Sequence, residues 1–395
     1  MATQDSPRFD TVDWDEITSE SGREVTKSLV ALAAILAGLA ALFIYDYVAV
    51  PDRTATFAAV GWGYDVTRLD WLLALSLLFV GFYGILPLYR NKRMTRYYWA
   101  EFKKNRPAVV SLAFLAAVFV GGILGPLLIS PPESELLRQF QPPVFMEIQR
   151  NYVIECVGEA AGGVCQGTWQ HPLGTTPDGR DIFAMIVYGM QVSMKVGLIA
   201  TLMAVVIGAS VGTVSAYAGG MVDEVLMRYV DVQQSFPTLV LYLLIIYTWG
   251  GDLFTMVILF GLFSWEGTAR YVRSNALAKT QEEYMKASRL SGAGTYRTIR
   301  RHLVPNTASS IITDATLLIP AFLLAEAQLS FLGLGDTSVA SWGQLISIGR
   351  DHLSYAPWIT LAPGLVLFLT ILAFNFLGDA LLDALNPEAR AEAES

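Results

Sequence analysis

The 395-residue chain contains no Gly-Lys pair. It therefore lacks the G-x-x-x-x-G-K-[ST] loop and cannot cradle a nucleoside triphosphate in that way. Histidine is scarce: His171, His302 and His352 stand far apart, so neither a metal-ligand cluster nor a hydrolytic Ser/His/Asp set is indicated. No catalytic residue and no metal ligand are assigned. Charge is also sparse, at 16% of residues against about one quarter in soluble domains, while 53% are hydrophobic and the mean hydropathy is +0.45. That balance excludes an ordinary soluble enzyme and points to lipid. The net charge of -8 comes partly from residues 1–27, where Asp5, Asp10, Asp13, Asp15, Glu16, Glu20 and Glu24 face Arg8 and Arg23. This acidic tail lacks the basic start and cleavage site of a signal peptide and reads as a solvated lead-in.

What the chain has is long apolar runs. A spanning helix needs about 20 apolar residues, because backbone polar groups in hydrocarbon must be satisfied within the segment. Runs at 28–45, 72–89, 108–130, 196–218, 235–249, 253–265, 311–334 and 358–376 predict an all-α, polytopic transmembrane bundle of about eight spans. Residues 182–195, ahead of the fourth run, are expected to form an interfacial helix, with Lys195 snorkelling to the headgroups. Two connections are strongly basic. One holds Arg90, Lys92, Arg93, Arg96, Lys103, Lys104 and Arg106; the other holds Arg270, Arg273, Lys279, Lys286, Arg289, Arg297, Arg300 and Arg301. By the positive-inside rule both face the cytoplasm, which places both termini inside and residues 131–181 and 335–357 outside. An external setting favours a Cys156–Cys165 bridge over two free thiols.

The second basic connection has a further property. Ala287, Ser288, Gly292 and Ala293 are small enough to let another surface approach, and Met285, Leu290, Ile299 and Leu303 offer apolar contacts. Gly292 and Gly294 can turn the chain, and Pro305 suits the first turn of the next helix. An ordinary basic loop would have the same composition. Spacing separates the two readings: Lys286-Ala287-Ser288, Gly292 and His302-Leu303-Val304-Pro305 resemble the coupling motif of ABC importer permeases, E-A-A, three residues, Gly, nine residues, I-x-L-P. Lys286 replaces the glutamate and His302 the isoleucine.

Other stretches resemble the C-type permeases of dipeptide, oligopeptide and nickel importers. They include His171-Pro172-Leu173-Gly174-Thr175 with Gly179-Arg180-Asp181, Ser330-Phe331-Leu332-Gly333-Leu334-Gly335, Ser341-Trp342-Gly343 and Phe374-Asn375-Phe376-Leu377-Gly378-Asp379. The resemblance runs from about residue 102 to 387. It implies a type I importer permease core at 183–385, a first family helix at 108–130, an external segment at 131–182 and a cytoplasmic tail at 386–395. Residues 28–107 form an extra two-helix membrane hairpin plus basic cytoplasmic loop, and its two spans lie outside the resemblance; a lipid anchor and a partner contact are both open for the hairpin.

The resemblance implies a plasma-membrane subunit of a prokaryotic importer. A B-type permease would form the other half of the path, and an external solute-binding protein would select the cargo. Two ATP-binding subunits holding ATP and magnesium would drive it, docked on Met285, Lys286, Ala287, Ser288, Arg289, Leu290, Gly292, Ala293 and Pro305. This chain would bind no cofactor and no nucleic acid. Di- or oligopeptides are the expected cargo, with nickel or another small solute as alternatives. An ion-coupled transporter would need several buried ionisable groups, and Glu326 is nearly alone. Glu326 is either a polar wall or gate of the path, or a paired carboxyl joining two helices. Asp314, Asp379 and Asp383 are expected to meet Arg289, Arg297, Arg300 or Arg301. Asp223, Arg228 and Asp231 recur at helical spacing and suit either salt bridges on one helix face or solvated charges. Trp342, Trp358 and Tyr355 read as interface aromatics.

Overall fold

The computed structural model describes residues 27–51, 54–57, 61 and 65–385. The acidic tail expected before residue 27 and the tail expected after 385 lie outside these residues. The chain divides into two compact units, Met1–Thr67 and Arg68–Ser395. The first contains α1, Lys27–Ala49, an apolar rod in which Leu32 is the one buried side chain among those described.

The second unit holds every other element. It opens with α2, Arg68–Phe79, a π-helical turn at Val80–Ile85, and α3, Leu86–Arg90. Then come the short α4, Lys92–Phe102, and α5, Arg106–Leu128, whose first turn is capped by Asn105 accepting from the Ala108 amide at 3.2 Å. Residues 131–181 carry three short strands not foreseen in an all-α chain: β1 (Glu147–Gln149), β2 (Ala160–Ala161) and β3 (Val164–Gln166), antiparallel in the order β1-β3-β2. Cys165 of β3 is bonded to Cys156.

Helix α6 is a single rod, Ile182–Ala218, capped by Asp181. Its 37 residues rise about 55 Å, well beyond a hydrocarbon core. The expected interfacial helix at 182–195 is therefore corrected: those residues continue the spanning helix, and Ile182, Met185 and Ile186 are buried against Leu345, Trp358 and Ile359. Burial in protein, not in a headgroup layer, accounts for their apolarity.

After α6 the chain forms one broken rod and then two further helices. Helix α7, Gly220–Ser235, and α8, Thr238–Trp249, meet at 71° because Pro237 ends the first helix and forces its neighbour Phe236 into extended backbone. Helix α9, Leu253–Phe263, is followed by α10, Glu266–Thr280. By length and composition six helices can cross a membrane, seven with the α7–α8 pair. The eighth expected run, α9, is 11 residues and too short to cross alone.

Both α9 and α10 lie along α6. At one end Asp336 accepts the Leu253 amide at 3.1 Å; at the other Ala276 packs with Ala216 and Leu303. The chain continues through α11 (Glu283–Leu290), α12 (Thr295–Thr298), a π-helical turn (Ile299–Leu303) and α13 (Val304–Phe331). The short α14, Trp342–Gly349, precedes the final rod, α15, Trp358–Leu385.

Pro305 stands in the first turn of α13 as expected, but the helical path reaches back through the π turn to Thr295. The π turn just before Pro305 widens the helix where the proline ring would strike the carbonyl four residues back, and Val80–Ile85 does the same ahead of Pro87.

Helix α6 is the mast of this unit. It packs on α2, α5, α9, α10 and α13. Apolar burial does little to hold helices together in lipid, so close approach matters more. At Gly212 an added Cβ would lie 2.5 Å from the Ala269 carbonyl oxygen and 2.9 Å from the Arg273 nitrogen; at Gly208 it would lie 2.7 Å from the Trp265 oxygen. These two glycines, four residues apart, let α10 lie backbone to backbone on α6.

Candidate functional site

At the basic end of the second unit, α11 forms a ledge below α10 and α13. Met285 and Ser288, three residues apart, point inward. Met285 is fully buried with Ala216, Ala276 and Leu303, and the Ser288 hydroxyl lies 3.4 Å from that of Thr298. Met285 and Leu303 thus anchor the ledge to its own bundle and are withdrawn from the surface expected to meet a partner. The outward face carries Lys286, Ala287, Arg289 and Leu290, with Leu290 89% exposed and Tyr296 nearby 74% exposed. The Arg289 guanidinium stacks 4.8 Å from the Tyr217 ring centroid, tying the ledge to the end of α6.

Gly292 closes α11 at φ +77°, with its amide bonded to the Arg289 carbonyl and the Ala293 amide to that of Ser288. This paired closure requires the left-handed region at Gly292. No atom lies within 4 Å of a Cβ built there, so backbone conformation and not crowding selects glycine. Gly294, expected to share the turn, sits at φ -65°. Ala293 is partly buried behind the turn, and Pro305 is exposed just beyond the π segment.

A ring of polar contacts stands behind the ledge. Arg273 of α10 donates to both carboxylate oxygens of Asp223 on α7, at 2.6 and 2.5 Å, and the Ser215 hydroxyl also donates to Asp223. Arg270 pairs with Asp231. The acids of α7 thus bridge to the next rod and not to Arg228 along their own face. Asp314 accepts from the Thr268 hydroxyl at 2.6 Å instead of meeting an arginine. Asp379 and Asp383 are exposed, with no ion pair among the described residues. The arginines expected for them lie on α11 to α13, whereas α15 packs against α4 and α5 at this end.

The opposite end is built on α14. Trp342 is 1% exposed, its indole donating to the Ile186 carbonyl at 3.1 Å over Gly189, and Trp358 is also buried. Both were expected at a lipid interface, but α14 folds back between α13, α15 and α6 and encloses them. Tyr355 stacks on Tyr152 at 4.3 Å; partial burial, then the neighbouring phenol, raises its pKa. The buried Glu326 accepts from Ser330, one turn along the same helix, at 2.7 Å. His171 Nδ1 lies 2.8 Å from Asp181, the α6 cap.

Lys195 does not snorkel. Its ammonium meets Asp70 of α2 at 2.7 Å, both side chains nearly buried. With Leu69, Trp71, Leu73 and Ser76 also buried, α2 is part of the bundle.

Comparison with known proteins decides what this architecture is. The family model "binding-protein-dependent transport system inner membrane component" matches residues 198–391, and "N-terminal TM domain of oligopeptide transport permease C" matches 94–143. The oligopeptide transport system permease protein OppC of Escherichia coli K12 is 38% identical over 291 residues, 73% of this chain and 90% of that protein. The dipeptide transport system permease protein DppC of Bacillus subtilis is 36% identical over 296 residues, 74% of this chain and 85% of that one. The chain belongs to this permease family. It is a multi-pass membrane permease subunit, and neither model reaches the residues of α2 that the Asp70–Lys195 pair fastens to its core.

Two features of the permease escaped sequence reading. The Gly208–Gly212 pair carried a signal, G-x-x-x-G within an apolar run. Asp70 carried none, since its partner lies 125 residues away in sequence (195 − 70).

Proposed function

We propose that this permease is the C-type subunit of an ATP-driven importer of di- or oligopeptides, with α11 as the element that receives the motion of ATP-binding subunits. The carrying observation is the division of labour in α11: Met285 is locked into the socket of Ala216, Ala276 and Leu303 while Leu290 and Tyr296 stand exposed. A push on the exposed face reaches α6, α10 and the π turn that leads into α13 together, because the socket joins all three. Peptide cargo is supported by the dipeptide and oligopeptide permeases among its relatives. In this reading the basic end is cytoplasmic, ATP and magnesium reside in the partners, a B-type permease completes the path, and an external binding protein delivers the peptide.

The test is peptide uptake by the complete complex reconstituted in vesicles. Gly292→Val places a β-branched residue in the left-handed region, costing about 1–2 kcal/mol of local backbone energy without a clash. Uptake should fall about ten-fold while the complex still assembles, and Gly292→Asn, which tolerates this conformation, should retain most activity. Leu290→Asp should leave the folded permease intact and release the ATP-binding subunits in pull-downs. Unchanged uptake in Gly292→Val, or ion-driven uptake by the permease alone, would overturn the proposal.

A further inference from the structure

The short helix α4 joins the basic end of α3 to the start of α5, so both of its ends are tied to membrane-spanning rods and it cannot leave the surface plane of the bilayer. One arc of α4 is used internally: Thr95, Tyr98 and Phe102 recur at helical spacing, and Phe102 is buried with Ala108 and Ala380 of α15. The opposite arc exposes Lys92, Arg93 and Arg96. Among the described residues no ion pair engages these three, whereas Lys104, beyond the helix, is held by Glu101 at 2.6 Å. Aromatic rings flank the cations, with Lys92 5.5 Å from the Tyr89 centroid and Lys103 5.1 Å from that of Trp99. Tyr89, Tyr97 and Trp99 are all exposed. The chain as a whole has net charge -8, so this concentration of cation is not a property of the surface at large.

We propose that the Lys92–Arg93–Arg96 arc of α4 binds anionic phospholipid headgroups of the cytoplasmic leaflet, with the flanking aromatic rings at headgroup depth. Cations with no carboxylate partner among the described residues, fixed in the headgroup plane, meet negative phosphates at the distance where their charge acts with least screening. Tyrosine and tryptophan belong at that same depth. The leaflet assignment rests on the orientation given under Proposed function.

The experiment is native mass spectrometry of the complex extracted from membranes of mixed phosphatidylglycerol and phosphatidylethanolamine. Each cation near such a surface contributes about five-fold in binding, so the variant K92Q/R93Q/R96Q should retain phosphatidylglycerol roughly a hundred-fold more weakly. R93K/R96K, which keeps the charge, should resemble the unaltered complex, as should K104Q. If the triple variant fails to fold, titrating the unaltered complex with salt replaces it, and retained phosphatidylglycerol should fall steeply. Equal retention of phosphatidylglycerol in the triple variant, indifference to headgroup charge, or loss of the ATP-binding subunits with lipid unchanged would each overturn the proposal. Thiol labelling of K104C from the two sides of the membrane reports the orientation separately, so an error there is not mistaken for absence of lipid binding.

Discussion

Gly212→Leu should leave almost no folded permease in the membrane. The leucine side chain would enter the space of the Ala269 carbonyl and the Arg273 nitrogen, which are backbone atoms and cannot rotate away. Overpacking in a soluble core costs about 1–3 kcal/mol, and a site with rigid neighbours stands at or above the top of that range. Displacing α10 would also break the Asp223–Arg273 and Arg270–Asp231 pairs and the Thr268–Asp314 bond, all of which depend on its position. Gly267→Leu, on the same helix with no atom within 4 Å of the added Cβ, should accumulate normally. Quantifying full-length, detergent-extractable protein for both variants checks this, and normal levels of Gly212→Leu would refute the close crossing.

Lys195→Met should be nearly as damaging, for an electrostatic reason. It removes the cation from a 2.7 Å pair whose carboxylate, on Asp70, is largely enclosed. Stripping one partner from a buried pair costs about 3–5 kcal/mol because the remaining charge loses this counter-charge. Replacing both, Asp70→Leu with Lys195→Met, should recover a substantial part of that loss, since two apolar side chains need no partner in this setting. Protease resistance of the single and double variants in native membranes measures the coupling. Equal damage in both would show that the pair itself is not what fastens α2 to α6.

The two substitutions mark where reading the chain alone succeeds and fails. Apolar runs located the spans because hydrocarbon demands local satisfaction of the backbone, a requirement written in consecutive residues. The turn at Gly292 was legible for the same reason: a left-handed helix closure is decided within six residues of chain. Lys195 was misread because a lone charge near the start of an apolar run looks the same whether it reaches water or a distant carboxylate. Trp342 and Trp358 were misplaced because aromatic residues near span ends serve equally as headgroup contacts or as packing under a folded-back helix.

By itself, then, the sequence determined where most of the long apolar rods lie, which connections carry the cations, and where a small glycine-closed helix stands between two of the rods. These properties depend on neighbours within a few turns. The tertiary structure alone decided that residues 182–218 are one mast, that Asp223 and Asp231 pair across helices, and that Met285 faces inward while Leu290 faces out. It also decided that α2 is fastened to the core. Each of these depends on which face of one rod meets another, and rods at these distances in sequence come together only when the whole bundle has packed.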